Sequence, residues 1–184
     1  IQLRCSYNSS YDKIILKAKQ ALDYFLLVGP PGTGKTSMAL QYMVRESISS
    51  NQSILLMSYA NRAVDEICGM LTDNDIDYIR IGNEFTCDTK YKQHLLSQII
   101  EHCPKLNVIR QRILDCKVIV GTTSTIQGKS YLFNLKHFST VIVDEASQIL
   151  EPNIIRLLAQ ADSKFVLIGD YKQLPAVVQQ DSAV

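Results

Sequence analysis

The sequence predicts an α/β protein with a central parallel sheet that is covered by helices on both faces. Short apolar segments rich in valine, isoleucine and leucine alternate along the chain with segments of helical periodicity. Most of the apolar segments are nearly continuous, which is typical of strands buried on both faces. Alternation of strands with helices favours a parallel sheet, because each crossover helix returns the chain to the same edge.

Five apolar segments are predicted to be strands, with residues 78–81 as a shorter sixth candidate. Helices are predicted over residues 35–46, 61–71 and 151–161. In the second of these helices the apolar residues share one face, and Asn61 is placed to cap the N-terminus. The five predicted strands are Tyr24–Val28, 53–59, 117–122, 140–144 and Lys164–Gly169.

Residues 72–116 interrupt this alternation. They begin with polar turn residues and continue with two helical patterns, at 91–102 and 104–115. We interpret this stretch as a small helical insertion within a single domain that spans residues 1–184, a length that suits one domain. The chain begins at Ile1, which leads us to expect that it is part of a longer protein.

Composition narrows the possible partners and the cellular setting. The net charge is +1, so nucleic-acid binding must come from a local site and not from a broadly basic surface. The five cysteines form no CxxC pair, which favours buried free thiols over a disulfide framework, a zinc site or an iron–sulfur cluster. No signal peptide or membrane-length apolar run is present, and a reduced, cytoplasmic setting is expected.

Three lysines occur close together near the N-terminus, and we interpret them as a solvated helix face. They are Lys13, Lys17 and Lys19.

A glycine-rich segment after the first predicted strand matches the phosphate-binding pattern GxxxxGK[ST] in full. The strand before it and the helix after it provide the context in which backbone N–H groups and a helix N-terminus bind phosphates. Lys35 is predicted to reach the β- and γ-phosphates of ATP, and Thr36 to supply a hydroxyl to Mg²⁺. The predicted nucleotide-binding residues are Gly29, Pro30, Pro31, Gly32, Thr33, Gly34, Lys35 and Thr36.

An acidic pair, Asp144 and Glu145, stands at the end of the fourth predicted strand. In ATPases with a P-loop, an aspartate at this place holds Mg²⁺ and the next glutamate orients the attacking water. The last predicted strand also ends in a polar turn, where Gln173 is placed to hydrogen-bond a γ-phosphate. The sequence therefore predicts a catalytic set of Lys35, Asp144, Glu145 and Gln173.

Together these segments resemble the motifs of superfamily 1 helicases. Residues 29–36 resemble motif I, residues 144–148 (DEASQ) motif II, and residues 169–175 (GDYKQLP) motif III. Residues 58–65 resemble motif Ia and residues 121–125 resemble motif Ic, and all five occur in family order across almost the whole chain. The branch that they resemble includes the nonsense-mediated-decay RNA helicase and the DNA-replication helicase/nuclease.

The resemblance implies the first RecA-like ATPase lobe of a helicase, with a helical insertion between motifs Ia and Ic. It also implies that the strand ending in motif III lies between the P-loop strand and the strand that bears Asp144. Side chains of motifs Ia and Ic are expected to contact a nucleic-acid backbone, since hydroxyls and amides hold phosphates without a basic surface. These residues are Ser58, Asn61, Thr122, Thr123 and Ser124.

The implied activity is ATP hydrolysis that drives translocation on single-stranded DNA or RNA. The implied partners are the single strand and a second RecA-like lobe that carries an arginine finger, so this lobe alone is expected to hydrolyse ATP weakly and not to unwind. The family usually has a glutamine upstream of motif I that contacts adenine. This chain has Tyr11 in its place, and we expect the tyrosine to stack on the base.

The residues leave two other functional classes open. A nucleotide-gated switch or clamp would bind ATP and nucleic acid without translocating. A phosphotransferase with a P-loop, acting on a small molecule, is disfavoured by the acidic pair and by Gln173.

Overall fold

The computed structural model describes residues 2–30, 35–103, 105–160 and 163–170; the side chains of residues 35–37, 151 and 160 lie outside this description. The described residues form a six-stranded sheet in which every neighbouring pair is parallel. This confirms the predicted fold class. The strands are β1 (Tyr24–Val28), β2 (Ile54–Ser58), β3 (Ile79–Ile81), β4 (Val118–Thr122), β5 (Thr140–Val143) and β6 (Lys164–Gly169).

Helices connect the strands on both faces of this sheet. A π-helix, Lys35–Leu40, leads into the second α-helix, and short 3₁₀ helices occur at Thr89–His94 and Ala146–Gln148. The α-helices are α1 (Ser9–Gln20), α2 (Gln41–Ser49), α3 (Asn61–Asp73), α4 (Leu96–His102), α5 (Leu106–Asp115), α6 (Thr123–Gln127), α7 (Tyr131–Leu135) and α8 (Glu151–Gln160).

The core consists of two apolar layers, one on each face of the sheet. Successive residues of β2 illustrate the division, because Leu56 packs with α1, α2 and α3 whereas Leu55 packs with α5, α6, α7 and α8. Side chains on a strand alternate between its two faces, so a strand apolar throughout serves both layers at once. Every residue of β2, β4 and β5 is buried, as their continuous apolar sequences predict.

The strand order is β1-β6-β5-β2-β4-β3. The strand that precedes the predicted sensor, β6, therefore lies between the P-loop strand β1 and the strand β5, which leads into Asp144. This confirms the topology that the family resemblance implied. Ligand sites of open α/β sheets form at the carboxyl edge, where the ends of β1, β6, β5 and β2 lie side by side.

Residues 72–116 contribute a strand as well as helices. The predicted sixth strand is present as β3, which pairs with β4 so that Ile79 lies beside Ile119. The predicted helix over 91–102 is divided, because Leu95 has an extended backbone and bridges to Arg80 of β3. The assignment of the whole chain to one domain remains a prediction.

Arg80 is the largest fully buried side chain of this region, with 1% of its surface exposed. Its guanidinium pairs with the carboxylate of Asp65 on α3, and that carboxylate also accepts the amide of Asp88 at 3.3 Å. One buried ion pair therefore joins α3, β3 and the loop that follows β3.

Arg80→Ala is expected to lower the free energy of unfolding by about 3 kcal/mol, because it leaves a cavity and an unpaired carboxylate. Urea denaturation of the chain measures the loss. Arg62→Ala is the matched control: its side chain is 92% exposed and pairs with Glu66, one turn along α3. We expect the control to change stability by no more than about 0.5 kcal/mol. Equal effects of the two substitutions would contradict the structural role given to Arg80.

The predicted solvated lysine face is only partly correct. Lys13 and Lys17 are exposed on α1, but Lys19 pairs with the buried carboxylate of Glu46 on α2. The sequence prediction was wrong for Lys19 because its partner lies 27 residues away along the chain and cannot be inferred from helical periodicity.

Glu46 accepts three further hydrogen bonds from the N-terminal segment. The amide of Arg4 donates to both carboxylate oxygens, at 3.0 and 3.2 Å, and the hydroxyl of Tyr7 donates at 2.7 Å. Burial opposes ionisation, but these donors and Lys19 outweigh it and hold the pKa of Glu46 below its ordinary value. The stability that this carboxylate contributes is therefore present above the ordinary glutamate pKa and is lost as the pH falls through the lowered pKa.

All five cysteines are free thiols, and Cys68, Cys87 and Cys116 are buried. Burial raises the pKa of each of these three thiols. No helix among the described residues is long and apolar enough to cross a lipid bilayer.

Candidate nucleotide and nucleic-acid site

The start of the P-loop lies beside the end of β6. Val28 pairs with Gly169, and the amide of Gly29 donates to the Gly169 carbonyl at 3.3 Å. The π-helix that follows the P-loop begins at Lys35, and a helix N-terminus after a glycine-rich loop is suited to bind phosphates. Predicted residues outside the described part of the chain are Pro31, Gly32, Thr33, Gly34 and Gln173, together with the side chains of Lys35 and Thr36.

Asp144 lies buried directly after β5. Its amide donates to the carbonyl of Met57 on β2 at 2.8 Å, which continues the pairing of the two strands. One oxygen of its carboxylate accepts the amide of Glu145 at 3.0 Å. The side chain is therefore held at the carboxyl edge of the sheet, where a hard oxygen ligand suits Mg²⁺.

Glu145 has a left-handed backbone, with φ 53° and ψ 35°. Non-glycine residues adopt this conformation at a cost, and it occurs often at functional sites. Burial, reinforced by the negative charge of Asp144, raises the pKa of the Glu145 carboxyl above its ordinary value. Both effects make this carboxylate a stronger base, which suits a residue that must accept a proton from water.

Ser58, at the end of β2, contacts the acidic pair. Its hydroxyl lies 3.2 Å from the Asp144 carbonyl and 3.3 Å from a carboxylate oxygen of Glu145. The residue has no exposed surface. The prediction that the Ser58 side chain contacts nucleic acid is therefore corrected. Its hydroxyl lies below the surface and contacts the acidic pair.

Two of the predicted motif Ic residues are also buried. Thr122 caps α6 by accepting the amide of Thr125 at 3.2 Å, and Thr123 is buried at the start of that helix. Both side chains make internal contacts, but Thr122 also lines the groove described below, so contact of these two residues with a strand remains a proposal. Ser124 is exposed, and its contact with a strand remains a proposal.

Asn61 is the first residue of α3, not its cap. The cap is Ala60, and among the described residues no side chain caps this helix end. The predicted capping role of Asn61 was wrong by one position. Asn61 is partly exposed and lines a groove at the carboxyl edge of the sheet.

This groove is open and has a volume of about 1000 Å³. Its lining includes motif residues, among them Tyr59, Asn61 and Ser124. The stretch 72–116 also contributes to the lining, through residues such as Asn83 and Ser97. Most of the lining residues are polar, and Tyr59, at 52% exposure, offers an aromatic face.

Tyr11 lies on α1 and packs against α2, which continues the helix that follows the P-loop. Its ring meets that of Tyr42 edge-on, with 5.9 Å between centroids. Tyr42 also lies 5.4 Å from the ring of Tyr7. The predicted contact of Tyr11 with adenine remains a proposal, with Tyr42 as its aromatic neighbour.

A family model described as "AAA domain" matches residues 6–108 and 105–181. The chain belongs to this family. Among its curated relatives, "DNA replication ATP-dependent helicase/nuclease JHS1" of Arabidopsis thaliana is 36% identical over 178 residues, which is 97% of this chain and 13% of the relative. The "DNA replication ATP-dependent helicase/nuclease DNA2" of Homo sapiens is 34% identical over 173 residues, 93% of this chain and 16% of the relative. This AAA domain thus spans well under a fifth of the length of these relatives.

Solved structures support the fold of this AAA domain. The UvsW helicase from bacteriophage T4 aligns with a TM-score of 0.62 at 15% identity, over 92% of this chain and 56% of the other. An arterivirus nonstructural protein 10 (helicase), solved with DNA, aligns with a TM-score of 0.56 at 18% identity, over 90% and 32%. The family match, the relatives and these folds confirm the resemblance to the RecA-like lobe of a superfamily 1 helicase.

Sequence reasoning missed several groove residues of this AAA domain. Tyr59 stands between two motif Ia positions, and an aromatic residue after an apolar strand is a signal that could have identified it. No sequence pattern indicates that Asn83 and Ser97 line the groove, because tertiary packing brings residues 72–116 beside the motif segments.

Proposed function

We propose that this chain is the first motor lobe of a helicase, which hydrolyses ATP to move along a single nucleic-acid strand together with a second RecA-like lobe. The observation that supports this most is the position of the acidic pair at the carboxyl edge. The P-loop begins on one side of it, across β6, and the groove opens on the other, beyond β2. One catalytic carboxylate thus lies between a phosphate site and a surface for a polymer.

ATP and Mg²⁺ fit the residues that this edge provides. Asp144 would hold Mg²⁺ through its buried carboxylate, with Thr36 as the second ligand expected from the motif. Mg²⁺, when bound, neutralises charge on the β- and γ-phosphates. Lys35 would contact the same phosphates, and Gln173 would sense the γ-phosphate.

Glu145 would orient the attacking water and accept its proton. Its raised pKa supports this role, because a base near neutral pH must hold a proton better than an ordinary carboxylate does. The second lobe would supply an arginine finger, which is worth roughly three to five orders of magnitude in rate in related ATPases. We therefore expect the full activity only in a protein that contains both lobes.

The strand would lie in the groove, held by its backbone and by base stacking. Asn61 and Ser124 offer an amide and a hydroxyl for phosphate oxygens, and Tyr59 offers a face for a base. The relatives are named for DNA replication, which favours single-stranded DNA over RNA as the track. The five free cysteines suit a reducing compartment, and the cytoplasmic setting stays a prediction.

Replacing both Asn61 and Ser124 by alanine is expected to weaken binding of a single-stranded oligonucleotide by about 10- to 150-fold, the effect of losing one or two hydrogen bonds to charged groups at about 1.5 kcal/mol each. Fluorescence anisotropy of a labelled oligonucleotide with the full-length protein measures this. ATP affinity should not change. Asn134→Ala is the control, because Asn134 is exposed on α7 and does not line the groove. If the double variant binds the strand as tightly as the control does, the groove is not the track.

A further inference from the structure

Phe85 exposes 85% of its surface to solvent. It lies in the loop after β3, and the residues on either side of it, Glu84 and Thr86, both line the groove. A single exposed apolar side chain is common on protein surfaces and needs no function. This ring differs from the other exposed apolar side chains in its place, because it stands between two lining residues at the rim of the groove.

Hydrogen bonds within the loop hold the backbone of Phe85 in place. The Phe85 amide donates to the side-chain oxygen of Asn83 at 2.9 Å, and the Thr86 amide and hydroxyl both donate to the Asn83 carbonyl at 3.2 Å. Farther along, the amide of Asp88 donates to the carboxylate of Asp65 on α3 at 3.3 Å. The loop is therefore ordered before any ligand binds, which lowers the entropy cost of a contact with the ring.

The strand order places Phe85 at the outer end of the groove. β2, β4 and β3 are neighbours in that order, and residues that follow each of them line the groove. The end of β3 is thus two strand spacings, about 10 Å, from the end of β2. It is farther still from the acidic pair, because β5 lies on the other side of β2. A contact at Phe85 therefore acts on the strand and not on the nucleotide.

The charges along the groove indicate which part of a strand its outer end can accept. Among the described residues that line the groove, the charged ones are Glu84, Glu101 and Lys129. The two carboxylates belong to the stretch after β3 and are exposed, whereas Lys129 belongs to the segment after β4. A phosphate beside the carboxylates would be repelled. A base carries no such charge, and its face can stack on an aromatic ring.

We propose that Phe85 stacks on a base of the bound strand, so that the outer end of the groove contacts bases while Asn61 and Ser124 contact the backbone. This inference rests on the proposed function, because it requires a strand in the groove. It assigns a binding role to a residue that lies outside all the motif segments. Together with Tyr59, Phe85 gives the groove two aromatic rings for bases, one after β2 and one after β3.

Phe85→Ala in the full-length protein is expected to weaken binding of a single-stranded oligonucleotide by about 5- to 150-fold, the range for loss of one base–aromatic stack. Fluorescence anisotropy of a labelled oligonucleotide measures the affinity over a series of salt concentrations. Because no phosphate contact is lost, the slope of log affinity against log salt concentration should not change. A loss of affinity with a shallower slope would show that the loop contacts phosphates, and would overturn the stacking.

An oligonucleotide of abasic sites separates base stacking from backbone contacts. It keeps the sugar–phosphate backbone, and at low salt the backbone contacts alone support binding. We expect Phe85→Ala to bind it as tightly as the original protein does. An equal loss of affinity for the abasic and the normal oligonucleotide would contradict the role of the ring.

Two further substitutions separate stacking from general apolar contact. Phe85→Trp keeps an aromatic face, and the affinity should stay within a few-fold of the original. Phe85→Leu keeps an apolar side chain without that face, and the affinity should fall nearly as far as in Phe85→Ala. Leucine that binds the strand as well as phenylalanine does would overturn the proposal.

Tyr24→Ala is the matched control. Tyr24 is also an exposed aromatic residue, at 68%, but it lies on β1, at the opposite edge of the sheet from β3. The control should bind the oligonucleotide as the original protein does. If Phe85→Ala binds as tightly as this control, Phe85 does not contact the strand and only the present inference fails. If the original protein binds no single strand, the proposed function fails as well, so the two failures are distinguishable.

Discussion

Glu145→Gln is expected to lower kcat for ATP hydrolysis by about two to four orders of magnitude in a protein that contains both lobes. The amide keeps the size and the hydrogen-bonding shape of the side chain but cannot accept the proton of the attacking water. Because Glu145 makes no expected contact with the adenine or with the α-phosphate, ATP should still bind. The variant should therefore hold ATP without turning it over.

Steady-state ATPase rates and equilibrium binding of a fluorescent ATP analogue separate the two effects. Glu66→Gln is the control, because it makes the same chemical change on a mostly exposed side chain of α3 that pairs with Arg62 and makes only the smallest of the electrostatic contributions to the pKa of Glu145. We expect the control to retain nearly all activity. Turnover by Glu145→Gln at the rate of the control would remove Glu145 as the base.

Lys35→Ala is expected to weaken ATP binding by about 100-fold or more. The lysine is placed at the start of the helix after β1, where its ammonium group would contact two phosphates. Charge-assisted hydrogen bonds contribute about 1.5–3 kcal/mol each, and the loss of two corresponds to a change of at least two orders of magnitude in affinity.

Isothermal titration calorimetry with the full-length protein measures this affinity directly. Lys13→Ala provides the control, since Lys13 is exposed on α1 and belongs to none of the motif segments. The control should bind ATP as the original protein does. Unchanged affinity in Lys35→Ala would contradict the assignment of the P-loop.

The sheet was predictable because its signal is local and repeated. Each buried strand is apolar throughout, and the glycine-rich segment and acidic pair stand directly after two of these strands. The family resemblance then supplied the strand order, which no composition or periodicity contains. The motif positions and the implied strand order together predict that Asp144, Glu145 and the first P-loop residues lie at one edge of the sheet.

The misassigned residues depend on contacts between distant parts of the chain. The strands β2 and β4 end in the polar residues Ser58 and Thr122, a pattern that suggests an exposed position. Neighbouring strands and the acidic pair nevertheless bury these residues. Lys19 carries a charge that suggests a solvated position, yet Glu46 on another helix pairs with it. No sequence pattern marks the left-handed backbone of Glu145, because the surrounding contacts impose it.

The most direct test of an ATP-driven motor that moves along nucleic acid is the ATPase rate of the full-length protein, measured with and without single-stranded DNA or RNA. We expect strong stimulation by one polymer, with DNA favoured by the names of the relatives. That result would establish a nucleic-acid motor and identify its track. Equal rates with and without either polymer would contradict the motor, and would leave an ATPase that acts independently of nucleic acid.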